Sequence, residues 1–311
     1  MEEKIIHLLK SRQLGFDPKK AEAEHNPRIS RFIEHTLSYP EIWCFLFDWK
    51  HSPYPLIIVE PKDFVYEELK DELMQNTNQS FFIRNFAFSF SRQYQNLSDP
   101  RKIRQINQFL SKIFKEQILI ARKEIVFLCL NCDRIVLTNK VEKVNNRKCN
   151  CGATYDFSFI PTQIPDEIFQ EIINGHLLEL FALRILKQVK NLQLVGMESN
   201  GKKVYTSIQY EGAGVGKNFN AEFDLLGVKG NILITVECKF NKTKYDDIEI
   251  FLKASDNLYY QIKEHIPELR MKKLIFSYDA TNLSPIKDSY IISLREIESI
   301  KKLIKEITNF I

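Results

Sequence analysis

The stretch from Phe219 to Phe240, FNAEFDLLGVKGNILITVECKF, constrains the fold of this chain more than any other. Two runs of strand-forming residues flank Gly230-Asn231, a dipeptide suited to a two-residue hairpin turn. A turn there sets a register. Lys229 faces Ile232, and the pairing walks outward through Gly227–Ile234, Leu225–Val236, Phe223–Cys238 and Ala221–Phe240. That set is nearly all apolar or small, so it reads as a buried face on which Cys238 is a packed thiol. The other face pairs Val228–Leu233, Leu226–Thr235, Asp224–Glu237 and Glu222–Lys239. Carboxylates opposed across a sheet are destabilising unless something compensates, and a hard divalent cation is the natural compensation. The plain alternative is an amphipathic hairpin whose glutamate and lysine are solvated.

A chain of 311 residues is too long for one small core and comfortable as two or three domains. Its net charge of +4 permits a nucleic-acid partner without demanding one. The start, MEEKIIHLLKSRQLG, lacks the apolar core of a secretory signal, and no apolar run reaches the ~20 residues of a membrane span. Six cysteines, four of them clustered, fit a metal site in a reducing cytoplasm better than a disulfide scaffold. Glycine placement divides the chain. Gly15 alone precedes Gly152, so the first part is expected to be mostly helical and the later part to carry the tight turns.

Residues 1–120 read as a mainly helical mixed domain of unassigned role. Met1–Gln13, Arg28–Leu37 and Tyr66–Met74 have helical character, while Glu41–Trp49, Leu56–Val59 and Phe81–Phe90 are dense in apolar and aromatic residues. Asp99–Glu124 is the clearest helix, with Ile103, Ile106, Phe109, Leu110, Ile113 and Phe114 at helical spacing. Its lysines and arginines read either as a phosphate-tracking face or as a solvated one.

Residues 121–160 hold Cys129-Leu-Asn-Cys132 and Cys149-Asn-Cys151, a CxxC…CxC set joined by a strand at Arg134–Thr138. Two short loops offering two thiolates each resemble a zinc ribbon, with a structural Zn²⁺ bound by all four cysteines. Lys140, Lys143, Arg147 and Lys148 make this ribbon basic and are candidate nucleic-acid contacts.

Residues 161–311 open with a helical pattern from Asp166 to about Val189, interrupted at Asn174-Gly175. Glu179 lies among small and apolar neighbours, an expensive place for a carboxylate without a partner; a surface glutamate is the alternative. Leu192–Glu198 and Lys203–Tyr210 read as strands. The GAGVGK run at 212–217 lacks the spacing of a phosphate loop and reads as a flexible lead into the hairpin. A helix at Asp246–Ile266, strands at Leu274–Tyr278 and Tyr290–Ser293, and a helix at Leu294–Ile307 complete the chain.

Asp224, twelve residues, then Glu237-Cys238-Lys239 resembles the signature of the PD-(D/E)xK phosphodiesterase superfamily, which includes restriction endonucleases and repair nucleases. The wording EFDLLG…ILITVECK is similar to the nuclease domains of Mrr-type enzymes and of CRISPR ancillary effectors. Phe223 stands where the usual proline would be. The resemblance implies an α/β fold with a restriction-endonuclease-like αβββαβ core. It also implies an endonuclease dependent on Mg²⁺ or Mn²⁺, acting on DNA more readily than RNA, commonly as a homodimer. Asp224, Glu237, Glu179 and the Cys238 carbonyl would hold the ion, and Lys239 would orient or deprotonate the attacking water and stabilise the developing negative charge. Two alternatives stand beside it: a nucleic-acid-binding or assembly protein with an inactive nuclease-like domain, and a defence RNase.

Overall fold

The computed structural model describes residues 1–39, 56–58, 100–121, 125–129, 131–132, 134–138, 148–154, 157–216, 220–280 and 283–311. The chain is mixed α/β and forms two compact units, Met1–Cys44 with Glu171–Ile311, and Phe45–Gln170. Residues 1–120, one domain as read from sequence, do not stay together. The first 44 residues instead share a unit with the C-terminal part of the chain.

In the first unit α1 (Glu2–Lys10) leads into β1 (Gln13–Phe16), and two short helices follow, α2 (Pro18–Glu24) and α3 (Pro27–Ser38). Both have explicit starts. Asp17 accepts from the Lys19 amide at 2.9 Å and Asn26 from the Arg28 amide at 2.9 Å, each with proline at the first helical position. The unit resumes at α4 (His176–Leu186) and β2 (Gln193–Leu194), then a small hairpin of Met197–Ser199 with Lys202–Val204. After it come β3 (Ile208–Glu211), β4 (Asn220–Phe223), β5 (Leu225–Lys229) and the eleven-residue β6 (Ile232–Lys242). The sequence ends with α5 (Tyr245–Lys263), β7 (Arg270–Asp279), β8 (Ser289–Ser293) and α6 (Ile300–Phe310).

Five strands form the main sheet in the order β8-β7-β6-β5-β2. β6, β7 and β8 are mutually parallel, and α5 supplies the crossover that parallel β6 and β7 require. β5 and β2 are antiparallel to their neighbours. The second sheet, β1-β3-β4, is antiparallel and places the N-terminal strand beside β3.

The inner hairpin register is as expected: Lys229 faces Ile232, Gly227 faces Ile234 and Leu225 faces Val236. The outer half is not. β4 leaves β6 and pairs with β3 instead, so Phe223 faces Ile208 and Glu222 faces Gln209. The expected pairs Phe223–Cys238, Ala221–Phe240, Asp224–Glu237 and Glu222–Lys239 do not form. Nor is one face polar. Leu226, Val228, Leu233 and Thr235 are as buried as Leu225, Ile234 and Val236, because helices cover both faces. Ile5 and Leu9 of α1 join Ile248, Phe251 and Leu258 of α5 in one core with Leu226, Val228 and Leu233. α4 packs on β6, and α6 packs on α4.

The second unit contains an antiparallel sheet of Leu56–Ile58, Phe157–Gln163, Ile125–Cys129 and Arg134–Thr138, with Ile120–Ala121 also paired to Phe157–Gln163. The helix Pro100–Lys115 buries Ile106, Phe109, Leu110 and Ile113, the stripe read from sequence, but it ends well before Glu124. The proposed elements at Glu41–Trp49, Tyr66–Met74 and Phe81–Phe90 lie outside the described residues. Among the described residues, no helix is long and apolar enough to cross a membrane.

Candidate metal-dependent active site

The strand break between β4 and β5 falls on Asp224, and it shapes the site. Freed from the ladder, the Asp224 carboxylate accepts the Cys238 amide of β6 at 2.6 Å. Its backbone carbonyl accepts the Ser207 amide at 3.1 Å. Glu237 is buried on β6 and forms an ion pair with Lys239, its same-face neighbour two residues on. Glu179 reaches the same place from α4, 4 % exposed. One Glu179 oxygen accepts from Ser207 Oγ at 2.8 Å.

Its other oxygen accepts from a residue that the sequence reading passed over. Lys20 Nζ, on α2, lies 2.9 Å from Glu179 Oε1, 2.5 Å from Ser207 Oγ and 3.3 Å from Glu222 Oε1. α2 is held there at its far end as well. Glu24 accepts the amides of Tyr205 and Thr206, at 2.9 and 3.3 Å, and the Thr206 hydroxyl at 3.2 Å. Thr206 Oγ1 also meets His176 Nε2 at 3.3 Å, while His176 Nδ1 pairs with Glu171 at 2.5 Å. Ser207 sits at φ +52°, a left-handed conformation that a serine adopts at a cost and that turns its hydroxyl into the site.

The electrostatics follow from this crowding. Burial, then the Asp224 charge, pushes the Glu179 carboxyl well above the usual range, against the opposing pull of Lys20 and Ser207. Burial raises Asp224 also, although Lys20, the Cys238 amide and Lys239 draw it down. Glu237 is pushed up to about 8 by burial and by Asp224, with Lys239 opposing. Burial by itself would lower Lys239, but Glu237 and then Asp224 outweigh it and hold the group as an ammonium. Lys20 is raised in the same way, Glu179 outweighing burial. Burial and the three surrounding carboxylates raise the half-buried Cys238 thiol well above its ordinary value. The three carboxylates feel one another's charge, and oxygen ligands of this kind suit a hard cation once ionised; among the described residues, the group whose ligand atoms all lie within 4.8 Å of one another is the four cysteines.

In the second unit, Cys129, Cys132, Cys149 and Cys151 converge, their sulfurs all within 4.8 Å of one another. Cys129 and Cys151 are 3.7 Å apart, Cys132 and Cys149 3.4 Å. A tetrahedral Zn–S₄ site with bonds of about 2.3 Å has edges of about 3.8 Å, so the four thiols are placed to hold one such ion. The Ala153 amide and the Asn131 side chain draw the Cys151 thiol down to about 6, whereas Cys149 pushes Cys132 up to about 12 and burial raises Cys129. Lys148 is exposed, beside the second knuckle. Lys140, Lys143 and Arg147, and the separate Cys44, lie outside the described residues.

No family model and no curated protein matches this chain. Among solved structures it is similar to the protein VC1899 from Vibrio cholerae, at 13% identity and a TM-score of 0.34, covering 92% of this chain and 57% of that one. It is also similar to Can2 from Sulfobacillus thermosulfidooxidans in complex with cyclic tetra-adenylate, at 16% identity and a TM-score of 0.29, covering 82% of this chain and 58% of that one. The chain thus spans less than three fifths of the length of either. Likenesses of this degree establish neither its fold nor its chemistry.

Proposed function

We propose that the unit carrying Asp224, Glu237, Glu179 and Lys239 is a divalent-metal-dependent endonuclease of the PD-(D/E)xK type that hydrolyses phosphodiester bonds, in DNA before RNA. One observation carries the reading. Carboxylates from α4, from the β4–β5 break and from β6 are buried and feel one another's charge, with the motif lysine paired to one of them. The order α4, β2, β5, β6, α5, β7 supports it, since it runs as the αβββαβ core that the motif implies.

Asp224 and Glu237 would hold Mg²⁺ or Mn²⁺, with Glu179 and the Cys238 carbonyl as further ligands. When bound, such an ion polarises the scissile phosphate and lowers the pKa of a bound water. Asp224 is already oriented by the Cys238 amide, so its free oxygen is presented without reorganisation. Lys239 is held as an ammonium by Glu237. Beside that glutamate it would orient or deprotonate the attacking water and donate to the charge that builds on the phosphate in the transition state. Zn²⁺ on the four cysteines would be structural, since four thiolates leave no open coordination position. Lys140, Lys143, Arg147 and Lys148 would contact nucleic acid, and two copies would be needed to cut both strands together.

The test is cleavage of supercoiled plasmid, linear duplex, single-stranded DNA and RNA in Mg²⁺ and in Mn²⁺, with Asp224→Ala and Glu237→Ala alongside. The expected outcome is metal-dependent cutting of DNA that both variants lose. Salt-sensitive DNA binding without cutting in either metal would replace the enzyme with a binding protein on a nuclease-like fold.

A further inference from the structure

Lys20 is the side chain in this site that the motif does not account for. An ammonium group has three N–H donors, and Lys20 directs them at three oxygens, on Glu179, Ser207 and Glu222. With all three engaged, none is left for a substrate phosphate, so its role is toward the carboxylates themselves. Nor is it a surface lysine resting on the site by chance. α2 is capped by Asp17 ahead of Lys20, and Glu24 behind it clamps the Tyr205–Thr206 backbone.

Charge counting gives this position a meaning. Among the described residues, four carboxylates influence one another here: Glu179, Glu222, Asp224 and Glu237. With all four ionised, as they would be around a bound cation, two ammonium groups oppose them, Lys20 and Lys239, and two negative charges remain. His176, which meets Glu171 and lies 3.8 Å from Glu179, is left out of the sum. A residual charge of −2 matches one divalent ion. Without Lys20 it is −3, and the oxygens of Glu179 and Glu222 that Lys20 occupies become available together.

We infer that Lys20 fills a second cation position in this pocket and so limits the site to a single divalent ion. This rests on the metal-dependent reading above and adds to it a residue and a stoichiometry. Lys20 is a positioning residue here: it fixes Glu179 and Glu222 and does not touch the reacting phosphate. The fixed positive charge on α2 does the work that a second metal ion would do.

The experiment counts Mn²⁺ bound to the full chain, saturated with zinc beforehand, by the loss of the free-ion paramagnetic resonance signal without substrate. Wild type, Lys20→Met, Lys20→Arg and Asp224→Asn are compared, with a thermal melt of each. Wild type is expected to bind one Mn²⁺ that Asp224→Asn loses, Lys20→Met to bind two, and Lys20→Arg to remain at one. Two ions in wild type, or one in folded Lys20→Met, would overturn the inference while leaving the nuclease reading intact. Where Lys20→Met does not fold, the wild-type count decides: one supports the inference and two overturns it. An Asp224→Asn count equal to wild type would instead remove the metal site, and with it the reading on which the inference rests.

Discussion

Glu237 shows what single residues contribute and what they cost. Its carboxyl titrates near 8 because burial, then Asp224, disfavours its charge, whereas in an unfolded chain it would lose its proton near the ordinary value of 4.5. Between those values the folded state binds more protons than the unfolded one, so stability falls as pH rises. Metal-free protein is therefore expected to lose stability from pH 5 to pH 8, and Glu237→Gln to lose less; chemical denaturation at the two pH values measures it. Equal slopes would show that Glu237 is not buried against Asp224 in solution. Lys239 should behave differently. Lys239→Ala is expected to lower the cleavage rate by about 10²–10³-fold, the scale of a lost transition-state donor, while Mn²⁺ binding survives. The candidate residues Asp224, Glu237 and Lys239 were legible because the motif spacing is local and its lysine is a same-face neighbour of the glutamate. Lys20 was not, since its partner Glu179 is 159 residues away and nothing in the local pattern of α2 points there. The Asp17-Pro18 helix start was present in the sequence and marks α2, but not what α2 faces.

At the level of elements, the hairpin was read correctly where strand pairing alone decides it and incorrectly where tertiary structure competes. Gly230 takes φ +62° at the turn, and the five pairs beyond it keep the expected register. Past Leu225 the chain had two possible partners, and β3 took β4, because β1 pairs with β3's other edge to complete a second sheet. A period-2 pattern cannot show which neighbour a strand will choose. The stretch Lys203–Tyr210, read as one strand, is likewise two, divided at the Tyr205–Ser207 turn that faces the carboxylates. That turn depends on close backbone packing before it. A Cβ on Gly196 would lie 2.7 Å from the Val204 carbonyl oxygen and 2.9 Å from the Tyr205 ring. Gly196→Ala is thus expected to destabilise the protein by about 1–3 kcal/mol, readable as a lowered denaturation midpoint. An unchanged midpoint would mean that the small hairpin gives way freely and does not brace the turn.

The whole molecule is a discontinuous unit interrupted by a second one. Each is compact by itself, and the four-cysteine cluster belongs to the inserted unit alone. Stripping zinc with a chelator is expected to lower one of two thermal transitions and to release about one zinc per chain, leaving the other transition in place. A single transition that collapses on chelation would show that the two units do not melt independently. The cysteine pattern made the ribbon within this unit visible in sequence, because thiol spacing is short-range, but not the unit's extent from Phe45 to Gln170. The interruption was not visible, because no change of composition marks the return of the chain to its first core.

Synthesis order gives the position of Lys20 a further consequence. Lys20 is made early, and Ser207, Asp224, Glu237 and Lys239 all follow the inserted unit. At ribosomal speeds of about 5–20 residues per second, roughly 10 to 40 s separate Lys20 from Lys239. During that interval the helix that will hold the carboxylates in place has no site to enter, and a nascent chain carries no assembled site. On the nuclease reading, the arrangement that would cut nucleic acid is thereby withheld until translation is nearly complete.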